Sequence, residues 1–223
     1  MERSRWTRFA RFAPALLPAL LVFLVPSIAP AQEPARTLLL VAKPGLPDPN
    51  FGESVVLVTQ GGNANAVGVI INRPTDRSLA SILPGERFKR FTEPVFFGGP
   101  VALNGLFAVF RAEKSPGEAV RLLPGVFLAL DPGTVDDLVS RPPATIRFYT
   151  GYSGWAPGQL DSEVLRGDWY VMDADSETVF RKDVKNLWRD LVRRASSIRA
   201  GPPAKGGNAA LSGAAEHAEQ AAR

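Results

Sequence analysis

The chain of 223 residues contains no cysteine and one histidine, His217. Without a thiol there is no disulfide, no CxxC redox pair, no thiolate nucleophile and no thiolate zinc site. With the only imidazole in an alanine- and glycine-rich C-terminal stretch, the body of the chain has no Ser-His-Asp triad and no histidine-based metal centre. His217 itself reads as incidental, because one imidazole without partner ligands binds metal weakly. Carboxylates, lysines and tyrosines remain for chemistry, so an enzyme is disfavoured and no cofactor or metal is expected. Long apolar runs are also scarce. The longest, residues 13–25 (APALLPALLVFLV), falls short of the roughly 20 residues a membrane helix needs, and Pro14 and Pro18 interrupt it.

That run belongs to an address label. Arg3, Arg5, Arg8 and Arg11 precede it, and Ala29-Pro30-Ala31 follows as a small-x-small cleavage site. Residues 1–31 are therefore expected to be a signal peptide, leaving an exported, periplasmic protein that starts near Gln32. The alternative is a misassigned start and a cytoplasmic product. The net charge is +4, but residues 1–31 carry four arginines and one glutamate, so the remainder carries only +1. A near-neutral body offers no broad basic field for nucleic acid. From residue 197 onward the chain is rich in Gly, Ala and Pro, without large apolar residues at regular spacing, and is expected to be a flexible tail.

Residues 32–196 remain as one domain. Residues 37–42 (TLLLVA), 54–60 (SVVLVTQ) and 67–72 (VGVIIN) are apolar runs of strand length, nearly continuous as in strands covered on both faces. The linker GGNANA, 61–66, suits a hairpin and lacks the spacing of a phosphate-binding loop. Further strands are expected at 94–97, 106–111, 126–130 and 145–150, with a short helix at 78–83. Another helix should open at Thr134, whose spacing to Asp137 resembles a capping box. Val184, Leu187, Trp188, Leu191 and Val192 form a core-facing stripe on a last helix capped by Asp183, with Lys185, Arg189 and Arg193 on its far side.

The stretch GYSGWAPGQLDSEVLRGDW, 151–169, places Ser153 between glycines. Ser153 fails as a nucleophile-elbow serine, because Trp155 stands where that turn needs glycine and no base accompanies it. The stretch reads instead as a strand-to-helix corner at Gly151. Pro157 would lie in the first helical turn, Leu160, Val164 and Leu165 on the apolar stripe, and Gly167 at the C-terminus.

Four ordered runs carry a resemblance: 39–58 (LLVAKPGLPDPNFGESVVLV), 66–74 (AVGVIINRP), 94–101 (PVFFGGPV) and 151–169. Together they resemble the YqgE/AlgH family. The resemblance implies an α+β fold, compact and mixed, with many short strands in a bifurcated, barrel-like sheet surrounded by helices. It also implies a label of transcriptional regulator, without an established biochemical activity or any catalytic residue to carry over. Near the end of the strand after GGPV, where many members have histidine, this chain has Phe110 or Arg111. The N-terminal leader is the largest departure.

Lys43, Asp48, Asn50, Asn72, Arg73, Tyr152, Trp155 and Gln159 lie in these motifs, and Gly98 and Gly99 give a turn with accessible amides. Converging on one rim, they would form a polar pocket. Alternatively Asp48 and Asn72 serve Asx turns and Arg73 pairs with a carboxylate. The leading functional expectation is a non-catalytic envelope protein that acts by binding, with a protein as its kind of partner. Behind it stand a cytosolic regulator without a recognisable DNA-binding motif, and a carboxylate- or lysine-based enzyme using Asp48, Asp161 or Lys43.

Overall fold

The computed structural model describes residues 36–60, 65–115 and 117–200; the leader, the tip of the GGNANA linker, the tail beyond Ala200 and His217 lie outside the described residues. Ten strands, β1 (Arg36–Ala42), β2 (Val55–Gln60), β3 (Ala66–Ile70), β4 (Pro74–Ser78), β5 (Pro94–Phe97), β6 (Val101–Arg111), β7 (Ala119–Leu123), β8 (Val126–Ala129), β9 (Ile146–Trp155) and β10 (Trp169–Asp173), build one sheet. Its main path runs β10-β1-β2-β3-β9-β6-β8-β7, with β5 branching from β9 and β4 pairing with β5. β7, the last strand of the path, comes back into contact with β1, so the sheet curls into a half-barrel. Helices α1 (Leu79–Ile82), α2 (Pro132–Ser140), α3 (Gln159–Arg166), α4 (Ser176–Val179) and α5 (Leu187–Ala200) pack around it. The fold is the expected mixed α+β class.

Strand alternation divides the apolar runs among three cores. Leu39, Val41, Val55, Leu57, Val69, Phe107, Val109, Leu128 and Tyr149 point inward, where Val179, Val184, Leu187 and Leu191 close the curl. On the outer face, Ala108, Phe110, Phe127 and Phe148 meet α1 and α2 through Leu79, Val135, Leu138 and Val139. Leu40, Val56, Val58 and Ile70 meet Leu160, Trp155 and Trp169. A strand buried on both sides has no polar face to alternate, which explains the continuous apolar runs.

The branch is built at β9. Its first half pairs with β5 in parallel at Tyr149 and Thr150, and its last three residues pair with β3. Gly98 spans the fork: its N–H donates to Thr150 O at 2.9 Å, and its carbonyl accepts from Ile70 N at 2.9 Å and Ser153 Oγ at 3.0 Å. Two backbones approach here more closely than any side chain permits. A Cβ on Gly151, at φ +68°, would sit 2.2 Å from Gly99 O, and one on Gly98 would sit 2.3 Å from Gly151 O.

Several elements depart from the sequence reading. β9 does not turn at Gly151 but continues to Trp155, because the positive φ of Gly151 bends the strand without ending it. Pro157 precedes α3, whose N-cap is Gly158, and Leu165 is 85% exposed because it lies about 140° around the helix from Leu160. α2 is capped by Asp131, whose Oδ2 accepts from Thr134 N at 2.8 Å, so it opens at Pro132 and not at Thr134. α5 starts at Leu187, and Asp183 accepts from Lys185 N in the turn before it. The same helix includes residues 197–200, assigned from sequence to the tail.

Two outcomes follow from the packing. Gly151→Ala is expected to cost about 3 kcal/mol or more in urea unfolding, combining positive-φ strain with a backbone clash. Gly45→Ala, at φ +83° with nothing within 4 Å of the added carbon, should cost only about 1 kcal/mol. Burial raises the Tyr149 phenol from 10.0 to about 12, against the opposing pull of Arg147. Its contribution to stability is therefore complete below pH 10 and lost as pH rises toward 12. In alkaline unfolding, wild-type stability should fall over that window relative to Tyr149→Phe, which has no phenol to ionise.

Candidate functional site

The motif loops meet on the outer face of β1–β3, around residues 43–54. Asp48 Oδ1 accepts from Asn50 N at 2.7 Å in an Asx turn, and Asp48 O accepts from Gly52 N at 2.8 Å. Asn72 reaches in from the end of β3: its Oδ1 accepts from Val55 N at 2.8 Å and its Nδ2 donates to Glu53 O at 3.0 Å. Arg73 donates to Asn50 O at 2.5 Å and Gly52 O at 2.6 Å, with its guanidinium 6.0 Å from the Phe97 ring centre. Its hydrogen-bond partners are thus carbonyls, not the carboxylate weighed from sequence. Burial pulls the Arg73 pKa down, while nearby Asp48 and Glu53 pull it back up. Asn72 and Arg73 together hold the 50–54 turn in place.

Beside that turn lies an aromatic cluster. Phe51 stacks on Trp155 at 5.7 Å and meets Trp169 edge-on at 5.6 Å. Both indoles are buried, and both N–H groups converge on one acceptor, Glu163 Oε2, at 2.9 Å from Trp155 and 3.0 Å from Trp169. Gln159 Nε2 donates to Glu163 Oε1 at 3.0 Å, while Gln159 Oε1 accepts from Ala156 N at 3.1 Å. Two buried donors need an acceptor, and one carboxylate serves both. Gly167, at φ +89°, ends α3 by donating to Glu163 O and Val164 O, which fixes where Glu163 stands.

The sequence-derived residues separate into four places. Asp48, Asn50, Asn72 and Arg73 share the 48–54 turn, and Trp155 and Gln159 join it through Phe51 and Glu163. Lys43 packs its ammonium 5.4 Å from the Tyr170 ring centre, and its N–H donates to Asp168 O. Tyr152 instead faces Phe107, at 5.4 Å. Gly98 and Gly99 are buried at the fork, so the amides expected to be accessible are not: Gly98 N–H is bonded to Thr150. Ser153 is fully buried with its hydroxyl on Gly98 O, a structural position out of reach of a substrate. Asp161 is exposed on α3. Among the described residues no three His, Cys, Asp or Glu side chains are placed to hold a metal ion, and no helix is long and apolar enough to cross a membrane.

Glu163 is the residue that sequence reasoning missed. Its signal was present: eight residues after one tryptophan and six before another, on the helix between them. Glu163→Ala should cost about 2 to 3 kcal/mol by orphaning two buried indole donors. Glu163→Gln, which keeps an oxygen there, should cost about 1 kcal/mol. Urea unfolding followed by tryptophan fluorescence, with the indole N–H resonances as a local check, measures both.

Comparison with known proteins agrees with this architecture. Residues 39–198 match the family model described as AlgH-like. A UPF0301 protein of Streptomyces avermitilis is 36% identical over 165 residues, covering 70% of this chain and 84% of that protein. Another, from Anaeromyxobacter dehalogenans, is 36% identical over 182 residues, covering 76% and 92%. The solution structure of the AlgH protein from Pseudomonas aeruginosa superposes with a TM-score of 0.58 at 25% identity, covering 78% of this chain and 95% of that one. The crystal structure of a Corynebacterium diphtheriae protein gives 0.59 at 23% identity, covering 77% and 90%, a likeness of fold. The chain belongs to the AlgH-like family.

Proposed function

We propose that this protein is an exported member of its family that works in the cell envelope by binding another protein, without catalysis. The observation that supports this reading is where the motif side chains spend their hydrogen bonds. Asn72, Arg73, Gln159 and Ser153 bond backbone or side-chain groups of the fold itself, and Glu163 is occupied by two indoles and an amide. A catalytic group needs free access to a substrate atom. The motifs therefore serve to hold a surface in shape.

Export is supported by the arginine-rich start, the thirteen-residue apolar run and the Ala29-Pro30-Ala31 site. The regulator reading draws less support, because the charged face of α5 is not a clear basic stripe: Asp190 lies within it, bonded to Arg193 at 2.6 Å and Arg181 at 2.7 Å. Those two arginines hold the Asp190 carboxyl below its ordinary pKa.

N-terminal sequencing of the protein from fractionated native cells, followed by crosslinking in intact cells, tests the proposal. The expected result is a chain starting near Gln32 in the envelope fraction and crosslinked to a discrete partner. A chain starting at Met1 in the cytoplasm would contradict export, and turnover of a compound lost on Asp48→Asn, Asp161→Asn or Lys43→Met in a folded variant would contradict the non-catalytic reading.

A further inference from the structure

Charge in this protein is divided. Residues 181–194 hold six cations and two carboxylates, a net +4, whereas residues 36–180 hold thirteen cations and sixteen carboxylates, a net −3. The near-neutral total therefore conceals one basic pole, built from the turn before α5 and the first two turns of that helix. Its cations differ in how they are used. Arg181 and Arg193 bond Asp190 at 2.7 and 2.6 Å, which spends the acid that interrupts this face, and Arg194 acts on Asp175. Lys182, Lys185 and Arg189 are exposed, and among the described residues no carboxylate pairs with any of them.

Their position gives the missing partner a meaning. Lys182 and Lys185 precede α5 and Arg189 lies in its first turn, where the positive end of the helix dipole disfavours a cation. Leu187 and Leu191 are buried in the core, and Arg189, about 200° around the helix from each, faces away from it. Trp188 fixes that rotation by donating from Nε1 to Ala42 O at 2.7 Å. Three unpaired charges are thus held outward against the helix dipole, by a helix that is not free to turn. They oppose the helix they stand on, so the anion they suit lies outside the molecule.

We propose that this basic pole seats the protein on an anionic phospholipid surface, with Lys182, Lys185 and Arg189 against the headgroups and the acidic remainder turned away. A fluid layer of headgroups needs only charge within about a Debye length, roughly 8 to 10 Å, and no fitted groove, which suits an exposed helix face. Attraction of the basic pole and repulsion of the remainder select one orientation. The proposal goes beyond the protein-binding reading and rests on it only for the envelope, where such a surface is met.

The test is co-sedimentation of the full chain with sucrose-loaded vesicles of phosphatidylcholine alone or mixed with phosphatidylglycerol, at low and at physiological salt. The expected result is binding to the mixed vesicles, release by salt and no binding to the neutral ones. Lys182→Gln/Lys185→Gln/Arg189→Gln should bind about fivefold more weakly per charge removed, on the order of a hundredfold in all. Arg77→Gln/Lys114→Gln/Arg121→Gln removes three exposed cations from other elements and changes the net charge equally, yet should bind nearly as tightly as wild type. Arg189→Gln alone, about fivefold weaker, covers the case in which the first triple variant does not fold. Any leader kept at the N-terminus is common to all these chains.

Equal binding by the two triple variants, or wild-type binding to neutral vesicles as strong as to anionic ones, would overturn the proposal. Retention of wild type on polyglutamate or DNA without vesicle binding would assign the pole to an acidic macromolecule and overturn it likewise. An envelope chain with a crosslinked protein partner but no vesicle binding defeats the lipid contact and leaves the proposed function. Vesicle binding that depends on Lys182, Lys185 and Arg189, in a chain that starts at Met1 in the cytoplasm, does the reverse.

Discussion

The structure depends on a place where two backbones touch. Gly98 and Gly99 cross Gly151 so closely that an added methyl on Gly98 or Gly151 would fall within about 2.3 Å of a carbonyl oxygen on the other segment. Only there can β9 pair with β5 in its first half and with β3 in its second, which makes one curled sheet out of what would otherwise be two. The carbonyl of Gly98 carries two bonds, one from each side of the fork. Ser153 belongs to this device. Its hydroxyl closes the fork, which is why a serine flanked by glycines here is architecture and not a nucleophile.

From the fork the consequences run outward along β9. Because the strand continues to Trp155, that indole is delivered to the same patch as Trp169 at the start of β10, and Phe51 packs on both. The two tryptophans then require an acceptor, which α3 supplies in Glu163. The neighbouring turn is held by Asn72 and Arg73 at the end of β3, through backbone partners. Fixed contacts of this kind lower the ordering cost of any binding event at such a surface. The polar groups that look like an active site in sequence are the struts of that surface.

How much of this could be read from the residues alone followed from burial. β1, β2, β3, β5 and β8 were visible because they are covered on both faces and written as apolar runs. β4 was not visible, since Pro74, Asp76 and Arg77 are exposed and its strand state comes from pairing with β5 and from Thr75 Oγ1 donating to Val95 O. β10 was hidden by its position directly after Gly167, where a helix end draws the eye. The apolar stripe of α5 was legible to the residue, but not its start, because Val184 is buried in the turn ahead of the helix. Family resemblance named the bifurcated sheet; local sequence placed a corner at Gly151 because nothing near it reveals that Gly99 lies against it. For the site, the residues were found but their roles were not, since a hydrogen bond from Arg73 to a carbonyl 21 positions away leaves no mark in the sequence.

The central claim is that the Gly98–Gly151 crossing holds the two halves of the sheet together. Native-state hydrogen exchange measures this directly through the Ile70 and Gly98 amides, whose acceptors, Gly98 O and Thr150 O, lie across the fork. If the crossing is the constraint, both amides exchange only through global unfolding, with the same protection as the amides between β1 and β2. Exchange of Ile70 and Gly98 through local opening, well before the β1–β2 amides, would contradict the account.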